Sequence, residues 1–91
     1  MKNAYELAME RLGGDGPSLT QEQKQRIADI QQKADAKTAE QSILFDQRIA
    51  EATATHDYDT LVRLKENRET ELRRIRDHAE EEKDQVRGEK G

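Results

Sequence analysis

The side chains with chemistry to offer are twenty Asp and Glu residues and two histidines, His56 and His78, with no cysteine among the 91 residues. His56 with Asp57 and Asp59 could bind a surface cation. A turn uses the same residues, because short polar side chains bond their own backbone and tolerate its tight conformations. Helical bundles that hold two irons present Glu-x-x-His on facing helices, and neither histidine here has a Glu three residues before it. General acid–base work needs two carboxylates in a partly dry cleft with separated proton affinities. The acids of this chain are interleaved with Lys and Arg, the pattern of solvated helix faces. No serine or threonine stands with a histidine base, and without cysteine there is no disulfide or thiolate chemistry. No catalytic residue, cofactor or metal site is therefore expected.

Two further segments invite a functional reading and fail it. Gly13-Gly14-Asp15-Gly16-Pro17 lacks the Lys-Ser/Thr of a phosphate loop and follows no strand. Arg73, Arg74 and Arg76 could form an anionic-surface patch, but Glu69 four residues before Arg73 makes them part of a paired, solvated face. A formal net charge of −4 argues against nucleic acid, whose binders carry a basic patch. No apolar stretch approaches membrane-spanning length, and the first residues carry no apolar signal run, so the cytoplasm is the expected compartment.

What must position any site is helical. Between Pro17 and Gly88 there is neither glycine nor proline, and 40% of the chain is charged with signs mixed. Ala, Glu, Gln, Lys, Arg and Leu, the strongest helix formers, dominate. Only 32% of residues are hydrophobic, ten of them alanine, too few to fill a globular core. Asn3 can cap a short amphipathic helix over 1–12, with Tyr5, Ala8, Met9 and Leu12 on one face. A Gly/Pro linker and N-cap follow at 13–20. Thr20-Gln21-Glu22-Gln23 fits a capping box opening the next helix, with Leu19 before it as the staple residue.

Down that helix Ile27, Ile30, Ala34, Thr38, Gln41, Phe45, Ile49 and Ala52 recur every three or four residues. Beyond Ala52 the stripe lands on polar His56, Asp59 and Arg63. A new stripe starts at Tyr58 and runs through Leu61, Lys65, Arg68, Leu72, Ile75, Ala79, Glu82 and Val86. The phase breaks among Thr53, Thr55, His56, Asp57 and Asp59, all weak helix formers, and Asp57 suits an N-cap. The fold expected is all-α: an antiparallel helical hairpin (a coiled coil) over 21–87 with its tip near 55–58, a short N-terminal helix and a disordered tail at 88–91. One unbroken helix of about 100 Å is the alternative. Folding about the tip sets Ala52 opposite Leu61, Ile49 opposite Leu64, Phe45 opposite Arg68, Gln41 opposite Leu72, Thr38 opposite Ile75, Ala34 opposite Ala79 and Ile27 opposite Val86. Ile43, Leu44, Val62 and Leu7 lie beside the seam and need a cover. Glu80, Glu81, Glu82 and Asp84 sit near a helix C-terminus, where the macrodipole disfavours acids, so the last ten or so residues are expected to fray unless a partner holds them.

Two resemblances accompany these residues. Ala4-Tyr5-Glu6-Leu7-Ala8-Met9-Glu10-Arg11-Leu12, a Gly/Asp/Pro break and Leu19-Thr20-x-Glu22-Gln23-Lys24, followed by helix–tip–helix, resemble a group of small bacterial helical proteins. That resemblance implies a bacterial cytosolic protein and supplies no activity. Ile49-Ala50-Glu51-Ala52 running into His56-Asp57 is similar to the coiled-coil tip of Gre-type transcript-cleavage factors. Those factors insert a hairpin into the secondary channel of RNA polymerase and present acids to its magnesium. Asp57 would match the first acid; the second falls near Thr60, with Asp59 adjacent, and the factors' globular C-terminal domain has no counterpart here.

The function expected is a non-enzymatic interaction or scaffolding module that self-associates, as a dimer or higher, through Ile27, Ile30, Ala34, Leu44, Phe45, Ile49, Leu61, Leu64, Leu72 and Ile75. Tyr5, Met9 and Leu12 would pack the N-terminal helix. The alternative is a regulator docking His56, Asp57 and Asp59 at the tip into a larger enzyme such as RNA polymerase.

Overall fold

The computed structural model describes residues 19–89, which form two helices and the turn between them. Helix α1 spans Gln21–Ala54 (34 residues) and α2 spans Tyr58–Gly88 (31 residues). They lie against each other as an antiparallel hairpin, each arm about 50 Å long. No strand occurs among the described residues, and no helix there is long and apolar enough to cross a membrane. The expected N-terminal helix with Tyr5, Met9 and Leu12, and the start of the linker, lie outside the described residues.

Helix α1 starts where its capping box predicts. The Thr20 hydroxyl accepts from the Gln23 backbone N–H at 3.0 Å, and Gln23 Oε1 accepts from the Thr20 N–H at 2.8 Å. Two of the orphan donors at the helix start are satisfied in this way. The seam on α1 is the expected stripe: Ile27, Ile30, Thr38, Gln41, Phe45 and Ile49 are half-buried, and Ala34 and Ala52 are buried.

On α2 the seam departs from expectation at its start. Tyr58 is 65% exposed and Lys65 is also exposed, whereas Leu61, Leu64, Arg68, Leu72 and Ile75 face α1. Tyr58 is the first residue after the cap, and its ring lies over His56 with centroids 6.2 Å apart. The stripe therefore begins at Leu61 and steps to Leu64 by three and to Arg68 by four, which keeps a small angle to the partner helix. Ala79 and Val86 continue it as buried residues. In the polar middle, Arg68 Nε lies 3.2 Å from Asp46 Oδ1, at an angle that makes a Coulombic contact rather than a hydrogen bond.

The open end of the hairpin is held by polar groups. Gln23 is 5% exposed, and its Nε2 donates to the carbonyls of Val86 at 3.0 Å and Glu89 at 2.8 Å. One amide thus caps the start of α1 through its oxygen and the end of α2 through its nitrogen. Arg26 adds a two-pronged ion pair to Glu89, with Nη2 to Oε1 at 3.0 Å. Lys83, 7% exposed, reaches Gln31 Oε1 across the seam and Glu80 Oε1 at 3.1 Å along its own helix. These partners explain why α2 stays helical through Gly88, past the expected end at 87, despite its unfavourable acids. Glu89 is ordered as the cap rather than part of a tail.

A carboxylate cannot take over the donor half of this clamp. Gln23→Glu is expected to cost about 2 kcal/mol in denaturant unfolding, since two carbonyls lose their donor and meet a charge. The same change at exposed Gln32 should stay within about 0.5 kcal/mol. Faster amide exchange in the last turn of α2 should accompany the Gln23 change alone.

Candidate functional site: the hairpin tip and the groove beside the Ala34–Ala79 layer

The chain reverses without glycine. Helix α1 ends at Ala54 with Thr55 as its cap, and His56 adopts φ 56°, the left-handed region that only a few non-glycine residues tolerate. The Asp57 N–H then donates to the Ala52 carbonyl at 2.9 Å, and the His56 N–H to the Thr53 carbonyl at 3.2 Å. This is the Schellman closure, with His56 where glycine usually stands. The Thr53 and Thr55 hydroxyls bond carbonyls four residues back, at 2.7 and 3.0 Å. Asp57 opens α2: Oδ1 accepts from the Thr60 N–H at 3.2 Å, and Oδ2 from the Thr60 hydroxyl at 2.7 Å.

His56, Asp57 and Asp59 are therefore brought together at the tip, as the sequence places them, but two of the three are occupied in making the turn. The hydrogen bond from the Thr60 hydroxyl, then that from its backbone N–H, hold the Asp57 carboxyl below the usual carboxylate range. No group of three or more His, Asp or Glu side chains suited to a metal ion occurs among the described residues.

The residues expected at an interface are distributed along the seam. Ala34 is buried, and Ile27, Ile30, Phe45, Ile49, Leu61, Leu64, Leu72 and Ile75 are only half-buried. Leu44 is 44% exposed beside the seam rather than in it. Ile43 and Val62 are exposed too, as their spacing predicts. Where Ala34 meets Ala79 the side chains are too small to fill the space between the helices. A groove of about 720 Å³ opens on one side of this layer, with Ile30, Ala34, Ile75 and Ala79 among the residues that line it. Its α1 lip carries Lys33, Lys37 and Glu40, and its α2 lip Glu71, Arg74, His78 and Glu82. A smaller groove flanks the same two alanines on the other side, beside Gln31, Thr38, Leu72 and Arg76.

Sequence reasoning passed over Gln23 and Lys83. For Gln23 the signal was present: position three of the capping box holds Gln rather than Glu, and only Gln has a nitrogen left to donate. Lys83, four residues after Ala79 and three before Val86, fits the α2 spacing as well as Glu82 does, but its charge argues for solvent and hides the signal. No protein-family model matches the chain, and no curated protein or solved structure is significantly similar to it.

Two outcomes follow for the tip. His56→Gly should raise stability by up to about 1 kcal/mol in chemical denaturation, by relieving the left-handed strain, and His56→Val should lower it. For Asp57 the folded-state carboxyl titrates below its unfolded value, so its contribution is complete above that value and is lost as pH falls through the lower one. The Tm gap between the natural chain and Asp57→Ala should be full at neutral pH and narrow below about pH 3.9.

Proposed function

We propose that this hairpin is a non-enzymatic protein–protein interaction or scaffolding module that self-associates through the faces beside its seam. One observation carries the reading: no large side chain among the described residues is fully buried, and eight large apolar seam residues keep part of their surface exposed. A hairpin whose buried core is Ala34, Ala52, Ala79 and Val86 gains little from the hydrophobic effect relative to the ordering entropy of about seventy residues. Burying the exposed remainder of Ile30, Phe45, Leu64, Leu72 and Ile75 in a second hairpin adds to what one copy buries alone. The groove beside Ala34 and Ala79 offers room for side chains from outside. Leu44, exposed next to the same seam, would be covered by the same contact.

Docking of an acidic tip into a larger enzyme has less to draw on. Both Asp57 oxygens are engaged by Thr60, the residue at which the resemblance places the second acid, and only adjacent Asp59 offers another carboxylate.

Light scattering at micromolar concentration should give twice the 10.5 kDa chain mass or a higher multiple. A folded monomer would sink the proposal. Ile75→Glu, which puts a charge in the groove floor, should reduce the mass to one chain while helical circular dichroism persists at low temperature.

A further inference from the structure

We infer that the second copy sits on the face bearing the wider groove, with the twofold axis running along the hairpin so that both tips point the same way. This rests on the self-association reading and adds the partner's orientation to it.

The cross-helix pairs Arg26–Glu89, Gln31–Lys83 and Asp46–Arg68 define which residues of α1 and α2 lie level with each other. On that scale Lys33 is level with Glu82, and Glu40 with Arg74, opposite charges on opposite lips of the groove. Within one chain they do not meet. Arg74 turns back to Glu71 at 3.1 Å, and His78 to Glu82 at 2.9 Å. Lys33, Lys37 and Glu40 have no ion-pair partner among the described residues. The apolar floor of Ile30, Ala34, Ile75 and Ala79 keeps the lips apart.

A twofold axis along the hairpin preserves height and exchanges the lips. It lays Lys33 on the second copy's Glu82 and Glu40 on the second copy's Arg74, each pair made twice, with Lys37 between them. The two lysines and one glutamate of the α1 lip sum to +1; the two glutamates and one arginine of the α2 lip sum to −1. An axis across the hairpin lays each lip on its own copy instead, where Lys33 and Lys37 share the one carboxylate of Glu40. Charge complementarity of this kind sets orientation more than it sets affinity. Leu44 lies four residues past Glu40 and seven past Lys37, on the same lip, so the same contact covers it.

The chain has no cysteine, so a nitroxide on Thr53→Cys reports one position per copy. In the full-length chain the two labels should lie within about 25 Å, since neighbouring helices pack 8–10 Å apart. The crosswise dimer would separate them by about 50 Å at 1.5 Å rise per residue. Glu40→Arg and Arg74→Glu should each weaken the dimer by about tenfold, with the double variant restored toward the natural affinity. A natural chain that is monomeric by light scattering removes the self-association reading and this orientation together. A dimer with distant labels, or one whose double variant is not restored, overturns the orientation alone.

Discussion

Everything in this hairpin depends on a reversal made at His56, a residue with no special right to be there. Positive φ is strained for a side chain with a Cβ, by about 1–2 kcal/mol. It persists because the surroundings over-determine it. The carbonyls of Ala52 and Thr53 receive their N–H donors only if the chain turns at His56, and Asp57 can cap α2 only from the position this turn creates. Ala52, buried just before the turn, lets the two helices converge there. Without the reversal, each apolar stripe would face water along an extended rod.

At the opposite end a second polar device answers the first. Gln23 joins the beginning of α1 to the end of α2 by bonds from a single amide, so hydrogen bonds close the hairpin at both ends alongside buried Val86 and Ala52. Between them the seam is thin. The small side chains of Ala34 and Ala79 bury little area and leave a groove on either side. The surface that fails to make a core within one chain is the surface that the proposed self-association would cover. On that proposal the charged lips set the orientation of the second copy.

Much of the fold was legible because it is governed by local chemistry. The capping box at Thr20, the cap at Asp57 and the change of phase between Ala52 and Leu61 all act within a few residues of one another, and each is where the spacing places it. The misplacements share a cause. Tyr58 and Lys65 satisfy the three-or-four spacing as well as Leu64 does, and only contact with α1 selects between them. Helix α2 persists beyond its unfavourable acids because Gln23 and Arg26, more than sixty residues away, hold its last turn.

By itself, then, the sequence determined that the chain is helical, where its two long helices start, that its stripe changes phase near residue 56, and that it carries more apolar surface than it can hide. These follow from propensity, capping and period, which operate over one or two turns. The tertiary structure decided that the phase change is a reversal, and which residues stand at equal height across the seam. That relation makes Gln23 a clamp, buries Lys83 against Gln31, and sets Lys33 level with Glu82 and Glu40 level with Arg74 on lips they cannot bridge. Height is a property of two helices together, fixed by the turn and by the packing of both, and no window along one of them contains it.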